Sequence, residues 1–399
     1  MSQLQLGLTS VAQFLLLRYF IVTTDIFSPL KVSFINGRQD PWARHPACSR
    51  RSCRRLKGGM RRALKTIVLM LMFALAAAAQ SGVPIISGGP GLISTTNGGQ
   101  TSFQPVVAPV VVVPLGSKFT VESRFDLREF IAKNANGDYE GQGFTSIEYL
   151  QLDYHVAPQM TITAGRFLTP FNVYDERLTP IWIRNFEEAP IIFPIGTRTD
   201  GSSDGFMVRG AAVSKPAWEL NYAAYFSTNS TIEKFQSGRA AGGRAGVFFT
   251  KPRLEVGTSY QRFLQDEHYN ATGAYVWWQP REVPLDIRSE YAHAPGGQGY
   301  WVEGAFRFVN APVGTSFIGR LEPLVRIQQF WRTKPFAGDA LPANDQKKAE
   351  VGLNYHLPRQ VRLNASYGRL LQTGGTDRND WNVAVTYRFL FPMFPGQTK

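Results

Sequence analysis

The chain of 399 residues contains little cysteine and little histidine. Both cysteines, Cys48 and Cys53, lie before residue 80, so the rest of the chain offers no disulfide and no thiol chemistry. Four histidines follow residue 79, and neither a serine motif nor a metal-ligand spacing accompanies them. We therefore expect no catalytic residues, no metal and no cofactor.

An excess of basic residues is also missing from most of the chain. The whole sequence has a net charge of +13, but residues 1–79 hold 12 of the 43 Lys and Arg residues and only 2 of the 30 Asp and Glu residues. The remainder carries 31 basic and 28 acidic residues, a net charge of +3. The sequence thus lacks the basic surface that nucleic-acid binding requires, and no nucleic-acid partner is expected.

Residues 60–79 have the organisation of a secretory signal peptide. A basic start is followed by an apolar run over residues 66–75 and by the small residues Ala77 and Ala79. We predict cleavage after Ala79. Because such a signal belongs at an N-terminus, we interpret residues 1–59 as a mis-assigned upstream extension.

Alternation of apolar and polar residues is the dominant pattern of the remaining chain. In "WNVAVTYRFLF" (381–391), Trp381, Val383 and Val385 share one parity, while Asn382 and Thr386 share the other. Strict alternation is typical of strands that face two different environments. Similar segments recur from residue 117 onwards, separated in turn by short and long connections.

This organisation predicts an all-β fold, a transmembrane antiparallel up-and-down β-barrel of about 14 strands, within a range of 12–16. We expect the barrel to span residues 117–391 and residues 392–399 to form a C-terminal tail. The Gly- and Pro-rich residues 80–116 are predicted to be a periplasmic N-terminal segment. The connection over residues 170–204 is far longer than an ordinary loop, which favours a constriction loop that folds into the pore over one that caps the rim.

A soluble β-sandwich would also alternate, but it would turn its apolar face inward. The barrel is favoured because charges on the apolar parity occur only toward the long-loop ends of strands, where a charge facing lipid costs little. Those exceptions are Glu148, Arg166, Arg262 and Arg369.

Two stretches resemble a known family. "VVVVPLGSKFTVESRFDL" (111–127) and "ITAGRFLTPFNVYDERLTPIWIRNF" (162–186) are similar to outer-membrane porins related to the phosphate-selective porins. The resemblance implies a homotrimeric channel in the bacterial outer membrane that carries small anionic or polar solutes along an arginine ladder. The final strand, which ends in aromatics, also resembles the insertion signal that the barrel assembly machinery recognises.

The predicted pore-lining and selectivity residues share the inward parity of their strands or lie in the long connection. They are Arg124, Arg128, Arg288, Arg307, Arg320, Arg326, Arg362, Arg388, Glu122, Asp126, Glu187 and Glu188. The same arginines and carboxylates could instead form a structural network that solvates the barrel interior. With only 9 Lys against 22 Arg beyond residue 79, no lysine cluster suggests an anion trap.

The sequence therefore favours a porin for passive diffusion of small hydrophilic solutes, with a mild preference for anions such as phosphate. Its expected surroundings are outer-membrane lipid and lipopolysaccharide. Two alternatives remain: a barrel enzyme, either a protease or a lipid hydrolase, and a non-conducting receptor or structural barrel.

Overall fold

The computed structural model of the chain describes residues 83–197, 201–231, 236–265, 268–310, 317–335 and 339–393. The predicted upstream extension (1–59) and signal peptide (60–79) lie outside the described residues, as does most of the predicted tail. The predictions for these segments stay predictions.

Antiparallel strands make up most of the described chain. They are β1 (Ile85–Asn97), β2 (Gln100–Leu115), β3 (Phe119–Lys133), β4 (Tyr139–Ala157), β5 (Met160–Leu168), β6 (Ser202–Ser214), β7 (Trp218–Thr228), β8 (Ala240–Phe249), β9 (Leu254–Phe263), β10 (Asn270–Trp278), β11 (Leu285–Ala294), β12 (Gly297–Phe306), β13 (Leu321–Arg332), β14 (Gln346–His356), β15 (Val361–Gln372), β16 (Arg378–Tyr387) and β17 (Phe389–Pro392). Every consecutive pair from β1 to β16 is hydrogen-bonded in antiparallel register.

The barrel closes where the last strands meet the first. β16 pairs with residues 91–97 of β1, and the short β17 pairs with residues 85–88 of the same strand. Strands β1–β16 therefore form a closed up-and-down barrel, and β17 extends the closing seam. Closure pairs both edges of the sheet, as a strand structure in lipid requires.

The predicted architecture is confirmed, and the barrel has 16 strands, the upper end of the predicted range rather than its central value of about 14. The fourteen expected strands correspond to β3–β16, and the additional two, β1 and β2, lie in residues 80–116, which were predicted to be a separate periplasmic segment. This segment contains no charged residue before Lys118, and Pro90, Pro105, Pro109 and Pro114 argue against a strand interior. At Pro105 and Pro109, β2 indeed has no paired residue on β3.

β1 and β2 lack the alternation because both of their faces meet apolar surroundings. Their inward side chains Ile93 and Val106 are 3% and 2% exposed and pack against Ile181, which lies inside the barrel. Their outward side chains, such as Leu92, share the outer surface with Val385. A strand with two apolar faces reads as a continuous hydrophobic run rather than an alternating one.

The predicted faces of the final long strand are confirmed. Trp381 and Val383 are 58% and 60% exposed on the outer surface, whereas Asn382 and Thr386 are 3% and 2% exposed inside. The alternation ends at Arg388, an exposed residue between β16 and β17.

The long connection between β5 and β6 is described over residues 169–197 and at Gly201, and residues 169–197 are called the inner loop below. It contains a π-helical turn, Tyr174–Leu178, and a short α-helix, α1 (Pro194–Thr197). Single 3-10 turns occur at Phe308–Asn310 and Ile318–Arg320. No helix within the described ranges is both long and apolar enough to cross a membrane.

Candidate functional site

The inner loop lies inside the barrel, where its apolar side chains form a core with the wall. Phe171, Val173, Tyr174, Leu178 and Ile195 are at most 6% exposed. They join one buried cluster with wall residues that include Tyr225, Phe263, Tyr275, Trp301 and Phe330. Burial of several large side chains holds the loop against the wall rather than at the rim.

Backbone N–H groups of the inner loop find acceptors on wall side chains. The Glu290 carboxylate on β11 accepts hydrogen bonds from the N–H groups of Val173 and Tyr174, at 2.8 and 2.7 Å. Gln328 on β13 accepts one from Ile191 at 2.8 Å. Because an unpaired N–H is costly away from water, these inward polar residues fix the path of the loop.

Backbone carbonyl groups of the loop are bound in the same way by wall donors. Arg362 donates to the carbonyl of Ile181 at 2.7 Å, and the side-chain amide of Asn364 donates to that of Asn185 at 3.0 Å. Arg244 donates to the carbonyl of Asn172 at 2.8 Å. The loop is therefore fastened to β8, β11, β13 and β15, and we call the inward surface of β8–β15 the covered wall.

A network of charges lies buried beneath the loop on the covered wall. Arg326 on β13 is 1% exposed and binds Glu350 at 2.6 Å. The Glu303 carboxylate lies 3.7 Å from the Arg326 guanidinium and 3.6 Å from that of Arg288. Lys348 extends the network to Glu350, at 3.3 Å. Alternating charges at these short distances satisfy one another, as buried ions must.

The loop contributes its own charges to this region. Glu188 binds Lys348 at 2.5 Å, and its carbonyl accepts a hydrogen bond from Arg326 at 2.9 Å. Arg184 pairs with Glu187 at 2.9 Å. Burial alone would lower the pKa of Arg184, but the charge of Glu187 and the hydrogen bond to it, together with Tyr174 and Asp126, raise the pKa above its ordinary value. Burial also raises the pKa of the Tyr174 hydroxyl to about 12.

The interior beneath the loop is closely packed. The space enclosed by Arg184, Phe186, Arg288, Trp301 and Arg326, together with neighbouring residues, is too small to admit a water molecule. The Arg326 guanidinium lies 4.7 Å from the centre of the Phe186 ring. Solutes therefore have no room along this part of the covered wall.

The inward surface of β3–β6, which we call the open wall, has more room. A cavity of about 120 Å³ separates it from the inner loop. The wall side of the cavity includes Glu122 on β3, Tyr149 on β4 and Arg209 on β6, and Glu176 belongs to the loop. A space of this size with polar partners can hold several water molecules.

In three ion pairs inside the barrel the arginine is more exposed than the carboxylate, and the arginine of one of them, Arg209–Asp153, lines this cavity. Exposures of arginine and partner are 30% and 13% for Arg128–Asp126, 31% and 9% for Arg177–Glu255, and 33% and 2% for Arg209–Asp153. In the Arg124–Glu148 pair the order is reversed, at 4% and 22%. In three of these four pairs the positively charged partner is therefore the more exposed one, while Glu122 and Glu176 add carboxylates at the cavity.

The predicted site residues fall into distinct places. Those buried on the wall are Arg124, Arg288, Arg326 and Arg362; Glu122 lines the cavity at the open wall; Asp126 and Arg128 form an ion pair further along β3; those on the inner loop are Glu187 and Glu188. Arg307 and Arg320 lie at the connection between β12 and β13 rather than within a strand, and Arg388 is exposed between β16 and β17.

Two charged residues that the parity placed on the outside are not exposed there. A register shift between β3 and β4 leaves Glu148 unpaired in the ladder, and its carboxylate binds Arg124. Arg166 is 3% exposed and binds Asp204 at 3.1 Å. Arg262 and Arg369 are exposed as expected. A bulge reverses the parity that follows it, which alternation alone does not reveal.

Arg177 and Arg209 did not enter the sequence prediction. Arg209 belongs to "FMVRG" in β6, where Met207 and Arg209 share the inward parity and the only other charged residue of the strand, Asp204, has the opposite parity. Arg177 lies in the π-helical turn of the inner loop. The inward parity of β6 could have identified Arg209, whereas nothing in the sequence orients Arg177.

Comparison with solved structures shows the fold. Salmonella typhi OmpF, solved in complex with daunomycin, is 15% identical with a TM-score of 0.53, and the alignment covers 77% of this chain and 97% of that chain. The anion-selective porin from Comamonas acidovorans is 10% identical with a TM-score of 0.50, covering 77% and 99%.

At these identities the likeness shows the porin barrel fold, with which a bacterial outer-membrane location is consistent. Neither of the two is named as an enzyme. No protein-family model matches the chain, and no curated protein matches its sequence.

Proposed function

We propose that the protein is a bacterial outer-membrane porin through which small hydrophilic solutes diffuse passively between the inner loop and the open wall. A closed barrel with a charged interior and an apolar exterior supports a water-filled path across lipid. The cavity beside Glu122 and Arg209 supports the open wall as the side along which solutes pass.

The finer part of the proposal is a mild preference for anions, phosphate among them. The observation that carries it is the unequal exposure of the three pairs, in which Arg128, Arg177 and Arg209 are each more exposed to solvent than their carboxylate partners. Nearby carboxylates reduce the field of each arginine, so the expected selectivity is weak. A homotrimer and insertion by the barrel assembly machinery remain predictions.

Conductance in planar bilayers tests the proposal. The chain from Gln80 onwards, refolded and inserted, should conduct KCl and show a reversal potential on the anion-selective side in a salt gradient. Replacing Arg128, Arg177 and Arg209 together by Gln should move the reversal potential toward cations. A double replacement by Gln of Arg262 and Arg369, on the outer surface, is the control and should not move it.

Absence of conductance in the refolded chain would overturn the porin proposal, and equal shifts in the two variants would overturn the assignment of the open wall. Exchange of chloride for phosphate in the same bilayers tests the anion class. Hydrolysis of lipid or peptide by a non-conducting barrel would favour the enzyme alternative instead.

A further inference from the structure

Glu122 differs from the other inward carboxylates discussed above. It is the fourth residue of β3, half-buried, and has neither a hydrogen-bonded nor an ion-paired partner among the residues that the structure describes. Asp126, Asp153, Glu255, Glu303 and Glu350 each have an arginine partner. A carboxylate kept away from bulk water without a cation is costly unless a cation can reach it.

The opposite charge is available in the same cavity. Arg209 lines it together with Glu122, the two interact electrostatically, and Arg209 keeps a third of its side chain exposed although it binds Asp153 at 2.8 Å. A guanidinium with free N–H groups can bind a second carboxylate. The cavity therefore offers one acceptor for a cation and one donor group for an anion.

Apart from Glu176, whose carboxylate is bound by Arg244 at 2.7 Å, the remaining lining is uncharged. Leu168 and Met207 line the cavity. In register, Gln151 pairs with Gly165 and Gly165 pairs with Gly205, so that two adjacent wall positions have no side chain. The recess has a volume of about 120 Å³, which suits a solute with a short apolar body.

We propose that this cavity is a binding subsite for small zwitterions, namely solutes that carry an ammonium and a carboxylate on a short skeleton, such as a small α-amino acid. The ammonium binds Glu122 and the carboxylate binds Arg209, while the apolar body contacts Leu168 and Met207. This inference rests on the proposed function in that the solute reaches the site through the pore. It adds a solute class that the mild anion preference does not imply.

Equilibrium binding to the refolded, detergent-solubilised barrel tests the subsite independently of conduction. Radiolabelled alanine is the probe, and propionate and ethylammonium, which each carry only one of its two charges, are the competitors. Alanine should bind at least about tenfold more tightly than either competitor, since each competitor lacks one hydrogen bond between charged groups. Equal affinity for the three compounds would overturn the proposal.

Two variants locate the site. Glu122→Gln should weaken alanine binding about tenfold, to the level of propionate, and should leave propionate binding unchanged. Glu219→Gln, on the inward parity of β7 outside the cavity, is the matched control and should bind alanine like the parent chain. An equal loss in both variants, or no loss in Glu122→Gln, would refute the assignment.

KCl conductance of the same preparations separates this proposal from the porin proposal. A chain that conducts but binds alanine no better than propionate would overturn the subsite and leave the porin. A chain that binds alanine selectively but does not conduct would overturn the porin and leave the subsite.

Discussion

Arg326 on β13 and Arg209 on β6 both point into the barrel and both bind a buried carboxylate, yet 1% of one side chain and 33% of the other is exposed. The difference comes from the inner loop, which lies over the covered wall and leaves a cavity at the open wall. An inward arginine is therefore part of the scaffold on one side and part of the solute path on the other. The position of a residue along its strand determines whether its side chain points into the barrel. Contact with the inner loop then determines whether that side chain is buried or reaches the solute path.

The strongest test of this comparison removes the covered arginine. Arg326→Leu removes two hydrogen bonds to Glu350 and leaves Glu350 with Lys348 and Glu303 with Arg288 as their remaining cations, so we expect a loss of about 3 kcal/mol in the free energy of unfolding. Denaturant unfolding of the refolded barrel, followed by intrinsic fluorescence, measures the loss. Arg209→Leu on the open wall is the matched control and should cost at most about 1–2 kcal/mol, because Thr163 and Gln151 still donate to Asp153. Similar losses in the two variants would contradict the division of the lumen.

The second test adds bulk at an inward position of β16 that lies against the inner loop and at an inward position of the open wall. Thr386 on β16 is 2% exposed, and Gly91 and Ile181 lie in the same tightly packed region of the lumen. Thr386→Arg should therefore cost about 1–3 kcal/mol through overpacking or should displace the inner loop. Thr161→Arg, at a partly exposed inward position of β5, should fold with nearly the parent stability. The midpoints of thermal unfolding distinguish the two, and a lower midpoint for the Thr161 variant would reverse the assignment of the walls.

The smallest effect is expected outside the barrel. Arg369 and Asp377 are 57% and 50% exposed at a separation of 3.6 Å, so their ion pair is solvated. Arg369→Gln should change the free energy of unfolding by less than about 0.5 kcal/mol. A change of several kcal/mol in the same unfolding assay would show that the outer surface near this residue is covered by something other than solvent.

Strands β3–β16 could be predicted because each separates a lipid-facing surface from a polar lumen, so that apolar and charged residues alternate along "KFTVESRFDLR" (118–128) and "WNVAVTYRFLF" (381–391). β1 and β2 could not, because Ile181 and the outer surface surround them with apolar groups on both sides. The inward positions of Arg288, Arg326 and Arg362 followed from parity. Their burial did not, because it depends on a loop that is distant in sequence.

The sequence by itself determined the barrel class, the two faces of most strands and the unusual length of residues 170–204, because these depend on local alternation and on the spacing of connections. Only the tertiary structure decided which inward charges meet water. The inner loop contacts residues up to 181 positions away, as in the bond between Arg362 and Ile181. Such contacts are set by the packing of Tyr174, Leu178 and Ile195 against distant strands. The alternation of apolar and polar residues along the chain does not predict which strands a loop will pack against.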